Sequence, residues 1–273
     1  MKRKIAIGGA AVLAMSALSA APALAAEGDA TVSVLHAVPD LVVDVYVNGT
    51  ETVPDFQPGT LTDPLMLAPG AYDIQVYADG AGPAEGGSPA IEANDVQVPA
   101  NANVTLVAHL DANGNPTLGA FVNDTEPVPA GQARLTVRHL AAAPAVDVRA
   151  GGTPVVEDLT NPNEASLVTA AGTVSADVTL AGTEDVVIGP ADLTLAEGTN
   201  TIVVAWGSAE ADNLALAVQT VEAHSAPTGV PSGLGGASDD AAAPAIVLAL
   251  AGMLGLAAAV LWRRSRLVEA RER

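Results

Sequence analysis

The amino-acid sequence predicts an all-β protein: two tandem Ig-like β-sandwich domains, followed by a single C-terminal transmembrane helix. Three observations predict it. One stretch is written twice, short alternating apolar runs are punctuated by turn residues, and residues 241–262 are 22 positions without a charge. Residues 32–49 read VSVLHAVPDLVVDVYVNG, and residues 135–152 read LTVRHLAAAPAVDVRAGG. At a constant offset of 103, His36 falls on His139, Asp44 on Asp147, Gly49 on Gly152 and Thr50 on Thr153. That offset is too long for a solenoid unit and suits one small domain.

Composition sets the bounds. A chain of 273 residues holds two domains of about 100 residues with segments to spare at either end. Aromatic residues are only 3%, so any core is built from small and β-branched side chains, which favour strands. With no cysteine there is no disulfide, thiol nucleophile or cysteine zinc site, a pattern compatible with an exported bacterial protein. Residues 26–243 carry 29 acids against three arginines, a net charge of −26. So acidic a segment repels phosphate backbones and anionic headgroups, which excludes nucleic acid as a partner.

Taken in order, residues 1–25 read as a signal peptide. Lys2, Arg3 and Lys4 form the charged region, 5–18 the apolar core, and Ala23-Leu24-Ala25 a small-x-small site with cleavage after Ala25. The first sandwich is expected over 30–126, with strands at 32–36, 41–47, 65–67, 72–77, 91–98, 104–110 and 118–122. Asn48-Gly49, Pro69-Gly70, Asp79-Gly80 and Asn113-Gly114 supply turn chemistry. Residues 126–131, rich in proline, read as a stiff linker. The second sandwich is expected over 132–223, with strands at 135–139, 146–150, 174–180, 186–188, 200–206 and 214–221. Ala108 aligns with Ala205 at an offset of 97, so the second copy has lost about six residues in its middle loops. Residues 224–240 read as a flexible stalk of Ser, Gly, Pro and Asp.

The helix expected at 241–262 would span ~33 Å at ~1.5 Å per residue, enough for a bilayer core. Trp262 and the basic tail 263–273, with Arg263, Arg264 and Arg266, place that tail in the cytoplasm and the sandwiches outside. Ala251, Gly255 and Ala259 form a small-xxx-small face, read here as a plain alanine-rich anchor.

The His-x-x-x-x-Pro-Ala-Val-Asp-Val run at 139–148, with its partner at 36–45, resembles the signature of the bacterial domain-of-unknown-function family 4397. The first copy departs from it: Pro39 comes earlier, and no proline stands in the position of Pro144. The resemblance covers about residues 30–223. It implies tandem secreted domains, often actinobacterial, and a surface location; it implies no activity.

Each motif has two readings. His36 with Asp44, and His139 with Asp147, could bind metal or shuttle a proton. The favoured reading is a structural lock, in which the imidazole donates to a carboxylate or a loop carbonyl. No nucleophile shares the spacing, so a triad is not assembled. Residues 111–115 open like a calcium loop, but Pro116 replaces the required glycine and a hairpin turn is expected. Calcium held between sandwich loops by Asp40, Asp44 or Asp111 stays open as an alternative. The sequons at Asn48, Asn103 and Asn123 are read as chance matches. Residues 225–229, ending in Thr228 and Gly229, are similar to a wall-sorting motif, although Ser225 stands where leucine belongs.

The expected function follows: a non-enzymatic, membrane-anchored surface protein of structural or adhesion-like type. Its partner is an extracellular protein or glycan, met through loops at the outer end of the membrane-distal domain. A calcium- or small-ligand-binding surface module is the alternative, and a hydrolase using the His/Asp pairs the weakest reading. No cofactor is expected beyond that calcium.

Overall fold

The computed structural model describes residues 28–223 and the backbone of residues 225–226. The expected signal peptide with Ala25, the sorting residues Thr228 and Gly229, the transmembrane segment 241–262 and the tail lie outside the described residues. Among the described residues no helix is long and apolar enough to cross a membrane.

The first repeat contains β1 (Ala30–Ala37), β2 (Val43–Val47), β3 (Thr50–Phe56), β4 (Leu65–Leu67), β5 (Gly70–Ala78), β6 (Ile91–Val98), β7 (Asn103–Leu110) and β8 (Pro116–Val122). After β9 (Val128–Pro129), the second repeat contains β10 (Gln132–His139), β11 (Val146–Ala150), β12 (Thr153–Leu159), β13 (Glu164–Ala170), β14 (Gly172–Leu180), β15 (Val186–Leu195), β16 (Thr199–Trp206) and β17 (Ala215–Glu222), with β18 (Ser225–Ala226) last.

Each repeat makes two four-stranded sheets. The first pairs β4-β1-β7-β8 and β3-β2-β5-β6; the second pairs β13-β10-β16-β17 and β12-β11-β14-β15, the same order. The register repeats too. β1 runs parallel to β7 with His36 opposite Ala108, and β10 runs parallel to β16 with His139 opposite Ala205. Both repeats are therefore sandwiches, as the Ig-like reading expected, but their strand order, which periodicity left open, is not that of an immunoglobulin domain. An immunoglobulin domain keeps its first two strands in one sheet, whereas here β1 and β2 lie in opposite sheets and are joined across the core.

Packing makes four layers of sheet. Val32, Val34, Val43, Val45, Ile74, Val76 and Leu106 fill the first sandwich, and Leu135, Val137, Val146, Val148, Val178 and Val203 the second. A third apolar cluster lies between the sandwiches: Leu35, Ala37 and Val107 from the first repeat meet Leu140, Ile202, Val204 and Val221 from the second. The central strands β1, β7, β10 and β16 are consequently buried on both faces. The face turned away from each sandwich core mixes apolar Leu35, Val107, Ile202 and Val204 with polar Ser33, Thr105, Thr136 and Arg138. The expected stiff linker is part of this packing. Val128 is fully buried, and β9 pairs in parallel with β18, tying the linker to the exit of the second sandwich.

The two sandwiches therefore sit side by side. Chain entry, linker and exit share one end, where Asn101 N–H donates to the Gly28 carbonyl and Asn200 Nδ2 to the Asp124 carbonyl. Loops from both repeats meet at the other end. There Asn161 Nδ2 donates to the carbonyls of Leu110 (2.9 Å) and Ala141 (2.7 Å), and Asn213 Nδ2 donates to Asp40 Oδ2 (3.1 Å).

Candidate functional site

His36 leaves β1 on the face of Val32 and Val34 and is fully buried, its ring centroid 5.6 Å from that of Phe56. Its Nε2 donates to the Leu41 carbonyl (2.7 Å), and its Nδ1 accepts from Val38 N–H (3.4 Å). His139 repeats this with the Pro144 carbonyl (2.9 Å) and Ala141 N–H (3.4 Å). The accepting Nδ1 fixes the neutral tautomer with its proton on Nε2. Burial pushes both pKa values down, against the raising effect of the carbonyl that each imidazole meets. The result is a latch between the end of the first strand and the loop leading to the second.

Asp44 does not pair with His36. It stands on β2 in the opposite sheet, where its Oδ1 accepts from Asp55 N–H (2.9 Å) and its Oδ2 from Gly80 N–H (3.3 Å). Asp147 accepts in the same way from Asp158 and Gly182, both at 2.8 Å. The donors sit where the chain bends. Asp55 and Asp158 have φ of 52° and 55°, at breaks in the register of β3 and β12, and Gly80 and Gly182 are turn glycines at 69° and 71°. The two donated bonds hold the Asp147 carboxyl below the usual carboxylate range. Each aspartate thus staples an edge-strand bulge and a hairpin turn to one central strand. Gly49 (φ 75°) and Gly152 (φ 78°) close the turns joining β2 to β3 and β11 to β12.

The calcium candidates are not brought together as one group. Asp40 is bound to Asn213 across the repeats, and Asp111 is used within its own hairpin. Asp111 Oδ1 accepts from the N–H groups of Asn113 and Asn115, both at 2.8 Å, and its Oδ2 from Asn115 Nδ2 (3.1 Å). The bonds from Asn115 lead in holding its carboxyl low. Asp44 instead meets Asp55 and Asp79, three carboxylates with oxygens within 4.8 Å of one another. Sequence reasoning missed this trio, because only the β2–β3 and β5–β6 connections bring its members together. The second copy has Asp147 and Asp158 but Ala181 in the place of Asp79, so the trio belongs to the first repeat alone. Of the sequons, Asn123 is buried and its amide donates to Thr105 Oγ1 (2.9 Å).

Gly80 aligns with Gly182 at an offset of 102 and Ile91 with Ile188 at 97, so most of the loss falls in the β5–β6 loop. In the first repeat that longer loop carries a 3-10 turn, Pro83–Glu85, folded beside the Tyr46 hydroxyl.

Residues 30–149 match a family model, Domain of unknown function (DUF4397). The DUF4397 match covers the first sandwich and stops within β11, inside the second sandwich rather than between the two. The second sandwich repeats the strand order, the histidine latch and the aspartate staple of the matched region. No curated protein matches the chain.

Proposed function

We propose that this is a non-enzymatic, adhesion-like surface protein, exported by its N-terminal signal and held by the segment 241–262 as a single-pass anchor. Its paired sandwiches present loops of both repeats to an extracellular protein or glycan. The observation that carries the reading is how the duplicated His and Asp are used. In both copies both imidazole nitrogens and both carboxylate oxygens hold backbone groups, so the set shapes loops. A hydrolase using His36 or His139 would need a free imidazole nitrogen within reach of substrate. The side-by-side packing also changes the expected contact surface, from the tip of one distal domain to a broader face built by both.

The test is protease treatment of intact cells producing the full chain. Residues 28–223 should be attacked or labelled from outside while an epitope on the tail 263–273 stays protected; an ectodomain reached only after lysis sinks the reading. Calcium binding at Asp44, Asp55 and Asp79 is the second reading, favoured by their close approach. It requires a thermal midpoint that rises with millimolar calcium, reverses with chelator and loses that response in Asp79→Asn.

A further inference from the structure

The described residues contain 26 carboxylates, three arginines and no lysine. None of the three arginines is a free surface charge. Arg149 bridges Asp177 and Glu184 on the outer sheet of the second repeat, both at 2.6 Å. Arg134 reaches Asp124 (3.0 Å) and the Glu126 carbonyl (2.9 Å). Arg138, 1% exposed, lies over the Phe121 ring at 4.6 Å, donates from Nη2 to Asn123 Oδ1 (2.8 Å) and pairs with Glu164 (2.7 Å). The first sandwich, residues 28–126, has 14 acids and no lysine or arginine of its own. Among the described residues its neighbouring cations are Arg134 and Arg138, lent across the seam by the second. Four carboxylates in all meet an arginine; the rest have no basic side chain as partner among the described residues.

We propose that this tandem unit is built for a cation-rich medium: its folded state depends on screening by ambient cations, and its stability rises with ionic strength. Folding concentrates the carboxylates on a small surface, and a net charge this far from zero works against compactness by self-repulsion. The Debye length falls from ~30 Å at 0.01 M to ~10 Å at 0.1 M and ~3 Å at 1 M salt, so salt removes most of that repulsion. Salt also weakens the arginine pairs, which acts the other way. The repulsion is the larger effect because the pairs are few and Arg138, the most deeply buried cation, is the least screened. The effect is diffuse and needs no bound ion. It does not rest on the adhesion reading.

The experiment is a far-UV circular dichroism melt of the full-length chain in non-ionic detergent, in 20 mM and 500 mM NaCl or KCl. The midpoint should rise by at least about 5 °C, equally for the two salts, a shift well beyond measurement error for domains of this size. A quadruple variant, Glu92→Gln, Glu157→Gln, Glu210→Gln and Glu222→Gln, removes four exposed acids that hold no hydrogen-bond partner among the described residues. It should melt higher than the parent at low salt and show a shallower salt dependence; Glu92→Gln alone should move the same way by less. A flat or falling midpoint overturns the proposal. So does a rise that the quadruple variant leaves unchanged, which would mark general salting-out. A rise seen with calcium but not with NaCl of matched ionic strength, and abolished by Asp79→Asn, overturns it in favour of a bound ion.

Discussion

A buried imidazole that holds two backbone groups is costly to remove and costly to charge. His139→Ala leaves the Pro144 carbonyl and the Ala141 N–H without their partner. The variant should lose about 1–3 kcal/mol in a denaturant titration, the range for an orphaned buried polar group. Burial holds the pKa values of His36, His109 and His139 below the ordinary 6.5. The unfolded chain, with its normal histidines, therefore binds more protons as pH falls, and stability is complete above about 6.5 and declines below it. Asp147 has a depressed carboxyl pKa, so its contribution is present above the ordinary 3.8 and is lost as pH drops further. A melting series should thus show two acid limbs, the first weakened in a His36→Gln/His139→Gln background and the second in Asp147→Ala. A midpoint unchanged between pH 7 and 5 would refute the histidine part. The duplication of His36 and Asp44 was legible in the sequence. Their separation into two unconnected devices was not, because spacing along a chain does not reveal which sheet a residue joins.

At the scale of elements, most strands were legible, the edge strands β4, β6, β8 and β17 among them, and three edge strands were not. β3 (Thr50–Phe56), β12 (Thr153–Leu159) and β13 (Glu164–Ala170) are mostly exposed and sit at sheet margins, where one neighbour and little burial suffice. β3 and β12 carry few apolar residues, with Pro54 and Pro154 at positions an edge tolerates. The turn leading into β3 was readable from Asn48-Gly49. Gly49→Ala should cost about 1–2 kcal/mol, since φ is 75° and nothing lies within 4 Å of the added methyl, so backbone strain alone acts. The second core has Ala176 in the place of Ile74, beside a small apolar cavity of about 30 Å³. Ala176→Val should stabilise the protein by up to about 0.7 kcal/mol at ~24 cal/mol per Å³ of cavity filled. A lower melting midpoint in this variant would show that the site is already tightly packed.

The seam between the sandwiches governs the whole molecule. Ile202 is fully buried there, on the face of β16 opposite its own sandwich core. Ile202→Ala should cost about 2–5 kcal/mol, as for large-to-small changes in a well-packed core. The shared seam and the arginines that cross it also make the repeats one cooperative unit. Calorimetry should give a single transition, with the van't Hoff and calorimetric enthalpies in agreement. Two resolved transitions, or an Ile202→Ala that melts like the parent, would show that the sandwiches are energetically independent.

The sequence by itself determined the duplication, the strand-rich class, most of the central strands, the turn glycines and the all-acid character of the surface. Those features are written in local pattern and composition, which act over a few residues at a time. Only the tertiary structure decided the sheet order, the side-by-side packing and the gathering of Asp44, Asp55 and Asp79. Each of these depends on contacts between residues far apart in the chain. The second buried face of the inner strands is of this kind too: it carries Leu35, Val107, Ile202 and Val204, but also Ser33, Thr105, Thr136 and Arg138. Periodicity reads such mixed positions as a solvent face, and only the folded chain shows that the other repeat covers them.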